Sequence, residues 1–109
     1  GKIKVGACKY SDVTVFSFHP VKIITTAEGG MALTNNKKIF DKMSRLRTHG
    51  ITNDKIFMKK RSKNEIWNYQ QIDLGFNYRM NDIQATLGLS QMKRLDKNVK
   101  RRNQIAKFY

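Results

Sequence analysis

Lys22 stands in a setting that suits a reactive amine. It follows Ser17-Phe-His-Pro-Val, and its neighbours Phe18, Val21, Ile23 and Ile24 are apolar. A lysine held among such side chains loses water, which disfavours the ammonium form. The uncharged amine is the form that attacks a carbonyl to make a Schiff base. The alternative is a solvated lysine on a surface loop, which is where most lysines lie. Ser17 and His19 are two positions apart, so a strand carries them on one side. There a hydroxyl can bind phosphate and an imidazole can touch a cofactor or substrate. A strand-end hydroxyl bonded to backbone and a packed histidine are the competing readings. Asn77-Tyr-Arg79 precedes Asn81, a residue suited to start a helix. Asn and Arg beside a helix start can hold an anion, although an ordinary turn uses the same residues. Glu28-Gly-Gly30 is too short, and wrongly spaced, for a nucleotide-binding glycine loop.

These residues need elements to place them. Val13-Thr-Val-Phe-Ser-Phe18 is rich in β-branched and aromatic types and predicts a strand, which His19-Pro20 ends. Ile23-Ile-Thr-Thr26 favours extended structure. Glu28-Gly-Gly30 predicts a turn, and Met31–Thr34 a second strand. Lys22 then falls on a loop of roughly four to ten residues between strands. Lys2–Val5 alternates and suggests a short edge strand. Asn35-Asn36 can cap a helix over about 37–48, with Ile39, Met43 and Leu46 on one face and Gly50 as its stop. Residues 51–72 are polar and basic and predict a loop with a short helix or hairpin around Trp67 and Tyr69. Asn81 caps a helix over about 82–92. A second follows from about 95 to the end, separate or continuous with the first. Gly88 lies inside the first, where it costs about 1 kcal/mol relative to Ala but allows close packing. Strands followed by helices predict an α/β protein.

The 109 residues allow at most one domain. The chain opens in a basic strand-like segment and stops at Phe108-Tyr109 in a helical pattern without a stop signal, so a piece of a larger protein is expected. The single Cys8 excludes an internal disulfide, and one Cys with two His argues against a structural zinc, so no metal is expected. No apolar run is long enough to span a bilayer. A reducing cytoplasm is the expected location. The net charge of +14 raises a DNA-binding or regulatory reading. Its cations fall in two clusters, Lys55, Lys59, Lys60, Arg61 and Lys63, and then Lys93, Arg94, Lys97, Lys100, Arg101, Arg102 and Lys107. The second sits on a predicted helix as a solvated face. No helix-turn-helix, zinc knuckle or aromatic RNA-binding run accompanies them. No nucleic-acid partner is therefore expected, and attraction of a phosphorylated small molecule is the milder use of the charge.

Five motifs occur in order along the chain: Phe16-Ser-Phe-His-Pro-Val-Lys22, Thr25-Thr-Ala-Glu-Gly-Gly30, Leu46-Arg-Thr-His-Gly-Ile51, Leu74-Gly-Phe-Asn-Tyr-Arg-Met-Asn-Asp-Ile-Gln-Ala85 and Leu87-Gly-Leu-Ser-Gln91. Together they resemble the DegT/StrS-type sugar aminotransferases, pyridoxal-phosphate enzymes of fold type I. The stretch Trp67-Asn-Tyr-Gln-Gln-Ile-Asp-Leu-Gly75 looks most like the branch serving pseudaminic acid biosynthesis.

The resemblance implies transfer of an amino group from L-glutamate to C4 of a UDP-linked 4-keto-6-deoxy sugar. A 3- or 4-aminotransferase for another sugar nucleotide is the alternative within the family. By the same resemblance, Lys22 matches the lysine to which the cofactor is covalently joined, and Ser17 matches a hydroxyl on the cofactor phosphate. Asn77 matches an asparagine that reaches the phosphate in the neighbouring subunit, which implies a homodimer with shared active sites. His19, Tyr78 and Arg79 fall near the substrate. The acid facing the pyridine nitrogen and the residue stacking on its ring are expected upstream. Residues 1–109 then correspond to part of the large cofactor-binding domain, with the helical segment from about 82 leading toward a smaller C-terminal domain.

Overall fold

The computed structural model describes residues 2–58 and 67–109. Its elements run β1 (Thr14–Ser17), β2 (Gly30–Leu33), α1 (Lys37–Leu46), β3 (Ile51–Thr52), β4 (Gln70–Gln71), α2 (Asp82–Met92) and α3 (Leu95–Ile105). They form two compact units. One takes the chain up to Leu33 together with Met80–Tyr109, and the other is Thr34–Arg79.

In the first unit β1 and β2 pair antiparallel, with Thr14 opposite Leu33 and Ser17 opposite Gly30. Thr14 and Phe16 are half-buried while Val15 and Ser17 are exposed, the alternation of a two-faced strand. Gly30 brings its strand against Phe16, because a Cβ there would lie 2.8 Å from the Phe16 carbonyl oxygen. Helix α2 begins with a reciprocal capping box. Gln84 N–H donates to Asn81 Oδ1 at 2.9 Å, and Asn81 N–H donates to Gln84 Oε1 at 3.1 Å. Helices α2 and α3 are separate: α2 closes at Lys93, and Arg94 opens α3 without a side-chain cap.

Two extended segments expected from the sequence are not strands. Lys2–Val5 gives way to a turn in which Ala7 N–H donates to the Lys4 carbonyl. Gly6 and Cys8 there adopt φ of +94° and +48°, which no strand continues through. Ile23–Thr26 bends, because Thr25 and Thr26 direct their polar groups back to Phe18 rather than to a neighbouring strand. The loop between β1 and β2 consequently runs from Phe18 to Gly29, longer than expected.

In the second unit Asn36 caps α1, its side chain accepting from the N–H groups of Lys38 and Ile39. Ile39, Met43 and Leu46 are half-buried along one face. The helix ends sooner than the predicted residue 48. His49 supplies the left-handed residue, at φ +58°, and Gly50 follows at +70°. Gly50 N–H reaches back to the Arg45 carbonyl at 3.0 Å, the long bond that closes many helix ends. β3 and β4 pair antiparallel, Ile51 facing Gln71 and Thr52 facing Gln70, while the short helix or hairpin expected around Trp67 and Tyr69 falls partly outside the described residues. Lys59, Lys60, Arg61 and Lys63 of the first basic cluster lie outside the described residues.

Among the described residues no hydrophobic side chain is fully buried. The most enclosed side chain is that of Thr26, at 3% exposure. It sits where α2 meets the β1–β2 loop: a Cβ on Gly88 would come within 2.8 Å of the Thr26 methyl. The close packing expected at Gly88 is therefore present, and Thr26 is its partner.

Candidate functional site

β1 delivers Ser17 to the surface, and the turn that follows delivers Lys22. Lys22 N–H donates to the His19 carbonyl at 3.0 Å, closing a turn whose second residue is Pro20. Proline favours that position because its φ is already fixed near the value required. Ser17 and His19 are both exposed and linked locally, His19 N–H donating to Ser17 Oγ at a long 3.4 Å. That bond uses the oxygen as acceptor and leaves the Ser17 O–H able to donate to an anion.

Lys22 is exposed, and so are Val21 at 70% and Ile23 at 43%. The enclosed apolar setting expected for its amine is thus not made by the described residues. Val21 and Ile23 face solvent instead of folding over it, while Phe18 and Ile24 are half-buried. Among the described residues no carboxylate pairs with the Lys22 amine, which is accordingly open to a ligand.

The loop carrying Lys22 is fastened at its base. The Phe18 carbonyl accepts from Thr26 N–H at 3.0 Å and from Thr25 Oγ1 at 2.9 Å, while Phe18 N–H donates to the Gly29 carbonyl at 2.8 Å. The Thr25 hydroxyl also accepts from Ala27 N–H at 2.9 Å. Thr26 Oγ1 donates to the Glu28 carbonyl at 2.8 Å. The β-branched pair Thr25-Thr26 favours a strand by residue type, but its adjacency to Glu28-Gly-Gly30 is the signal for a hydroxyl-bonded loop.

Asn77, Tyr78 and Arg79 belong to the second unit, and all three are exposed. They follow a close backbone crossing. Phe76 N–H donates to the Leu46 carbonyl at 2.7 Å, His49 N–H to the Phe76 carbonyl at 2.8 Å and Tyr78 N–H to the Arg47 carbonyl at 3.0 Å. Thr48 and Asn77 form an isolated antiparallel bridge. Two glycines permit the approach. A Cβ on Gly50 would lie 2.6 Å from the Asp73 carbonyl carbon, and one on Gly75 would lie 2.8 Å from the Leu46 carbonyl oxygen. Arg45 Nε donates to Asp73 Oδ2 at 2.6 Å, tying α1 to the same segment. The rings of Phe76 and Tyr78 stack with centroids 5.0 Å apart. The Asn77 backbone is thus held by both neighbours. The six expected site residues form two sets, Ser17, His19 and Lys22 in one unit and Asn77, Tyr78 and Arg79 in the other.

Similarity to known proteins follows this arrangement. The family model described as the DegT/DnrJ/EryC1/StrS aminotransferase family matches residues 3–109. A UDP-4-amino-4,6-dideoxy-N-acetyl-β-L-altrosamine transaminase of Campylobacter jejuni subsp. jejuni serotype O:2 is 45% identical over 106 residues, covering 97% of this chain and 25% of that protein. The solved structure of Helicobacter pylori PseC, an aminotransferase involved in the biosynthesis of pseudoaminic acid, superposes with a TM-score of 0.64 at 38% identity. That match covers 80% of this chain and 21% of the other. The putative sugar aminotransferase Spr1654 of Streptococcus pneumoniae in its PMP form superposes with a TM-score of 0.75 at 32% identity, over 93% and 26% of the two chains. The chain therefore spans about a quarter of the length of the curated relatives it matches. These likenesses bear out the α/β aminotransferase fold. With the family model running through both units, this chain belongs to the DegT/DnrJ/EryC1/StrS aminotransferase family.

Proposed function

We propose that a polypeptide of its relatives' length carrying this sequence is a pyridoxal-phosphate-dependent aminotransferase. It moves the amino group of L-glutamate to C4 of a UDP-linked 4-keto-6-deoxy sugar in pseudaminic acid biosynthesis. The observation that carries this reading is the Lys22 amine, unpaired among the described residues, on a loop fastened beside Ser17, in a chain 45% identical to a transaminase of that type. A phosphate-bearing aldehyde fits these residues: an open amine for the aldehyde, and a hydroxyl whose proton is still available for the phosphate.

Pyridoxal phosphate, when bound, supplies the electron sink for charge developing at the carbon that loses a proton. The protein residues supply the rest. Lys22 would hold the cofactor, and its amine, when free, would move a proton between the Cα of the amino donor and the cofactor C4′ carbon. The sugar half-reaction uses the same amine in reverse. Ser17 donates its hydroxyl to the phosphate, and Asn77 donates its side-chain amide to the phosphate of the neighbouring subunit's site, so the working unit is a homodimer. His19, Tyr78 and Arg79 border the sugar nucleotide, Arg79 as a bidentate partner for its diphosphate. The enzyme works in the cytoplasm and requires neither nucleic acid nor membrane.

Borohydride reduction of the full-length protein with its cofactor, followed by peptide mapping, tests the reading. The cofactor is expected on Lys22, and its visible band is expected to bleach on adding L-glutamate. Lys22→Ala is expected to lose turnover entirely. Folded protein with excess cofactor and no label on Lys22 refutes the assignment. Turnover of a GDP-linked keto sugar in preference to the UDP-linked one refutes the substrate.

A further inference from the structure

We propose that Thr25 is a positioning residue for Lys22, acting through the base of the β1–β2 loop; this rests on Lys22 being the reactive amine. The Thr25 hydroxyl is the only described side-chain group that joins the two strands of that base. As donor it meets the Phe18 carbonyl at 2.9 Å, and as acceptor it takes Ala27 N–H at 2.9 Å. One group therefore fixes both the residue that enters the loop and Ala27 near its exit.

The second contact has a particular burden. Ala27 adopts φ +66°, a left-handed conformation that a residue with a Cβ rarely holds unless neighbouring bonds impose it. The hydroxyl of Thr25 supplies such a bond. Without it Ala27 is free to return to negative φ, and the base loosens to two backbone bonds, from Thr26 N–H to the Phe18 carbonyl and from Phe18 N–H to the Gly29 carbonyl. Lys22 lies between these anchors, and its own local bond, to the His19 carbonyl, fixes the turn but not the turn's attachment to the sheet. The neighbouring Thr26 cannot substitute, because its hydroxyl is committed to the Glu28 carbonyl. Serine preserves both contacts of Thr25. Valine preserves the shape and removes both.

The test uses the full-length protein with Thr25→Val and Thr25→Ser. Three quantities are read: the rate at which the visible cofactor band grows when pyridoxal phosphate is added to cofactor-free protein, the cofactor affinity from the same titration, and kcat against KM for L-glutamate. Thr25→Val is expected to slow band growth and lower kcat by about 10-fold each, the effect of losing one to two hydrogen bonds at the loop base. KM for L-glutamate is expected to stay within about twofold, since no donor-binding group has moved. Thr25→Ser is expected to restore both rates to within about threefold. Thr25→Ala carries the test if the valine variant does not fold, because it adds no methyl where the hydroxyl was. Unchanged rates in Thr25→Val overturn the proposal, and so does a serine variant as impaired as the valine one. Failure of the functional reading is distinguishable: unsubstituted protein then carries no cofactor on Lys22, and the positioning role falls with it.

Discussion

Replacing Gly50 with alanine tests the crossing that holds the Asn77 segment. Two costs arise. The residue has φ +70°, and an L-residue there carries a penalty of roughly 1 kcal/mol. The new methyl also falls 2.6 Å from the Asp73 carbonyl carbon and 3.1 Å from the Gly75 nitrogen, both backbone atoms with no side-chain freedom to yield. The Asp73 segment must retreat. In retreating it loosens the bonds from Ile72 N–H and Asp73 N–H to the Gly50 carbonyl, at 2.9 and 3.2 Å. Each such bond contributes about 1 kcal/mol net. The sum is about 3 kcal/mol of local stability. Hydrogen exchange on the full-length protein reads it directly. The Ile72 and Asp73 amides should lose roughly 100-fold protection while amides in α2 and α3 keep theirs. Protection of those two amides within about threefold of the unsubstituted protein would mean that the backbones yield cheaply, and that glycine is not required at the crossing.

Other consequences are open to measurement. A double-mutant cycle with Arg45→Met and Asp73→Asn should give a coupling of about 1 kcal/mol in denaturant unfolding, since the pair is partly exposed and solvent screens it; zero coupling would remove the pair from the crossing. By contrast Asp41→Ala, which breaks the exposed Lys37–Asp41 pair on α1, should change stability by less than about 0.5 kcal/mol in the same assay. Asn81→Ala removes one arm of the capping box and should cost about 1 kcal/mol, read by exchange of the Gln84 amide; unaltered exchange there would show the cap to be idle. Mixed dimers of Lys22→Ala and Asn77→Ala subunits should regain activity that neither homodimer has, because one site then keeps both groups. No regained activity counts against the shared site.

What could be read in advance was whatever a few adjacent residues decide. Asn36 and Asn81 announce their helices because a cap is a bargain between a side chain and the amides two or three residues later. The strand ending at His19-Pro20 is legible for the same reason: proline limits its own position and the one before it. Lys2–Val5 misleads because four alternating residues are too few to fix a ladder, and Gly6 turns the chain before a partner is reached. Ile23–Thr26 misleads because β-branched residues favour strands on average, while here two hydroxyls find nearer partners in Phe18 and Glu28. For the candidate site, the motifs single out Lys22, Ser17 and Asn77 by resemblance. They could not show that Gly50 meets Gly75, or that Arg45 meets Asp73, since those pairings join residues far apart in sequence. The exposure of Lys22 was equally hidden, because apolar neighbours in sequence need not be neighbours in space.

The lack of a fully enclosed apolar side chain among the described residues has a calorimetric consequence. The heat-capacity increment of melting scales with the apolar area newly delivered to water. Val15, Met31, Leu74, Ile83 and Leu89 are already between 49% and 86% exposed, so this stretch melting by itself would release little more. Its transition would be broad and shallow, with a small step in baseline. In a protein of its relatives' length, burial of Val15, Met31, Leu74, Ile83 and Leu89 would show as a step larger than the rest of that protein supplies, and would mean that these side chains acquire their cover from other parts of the assembly. The cooperativity of the stretch would then belong to the assembly, not to the stretch.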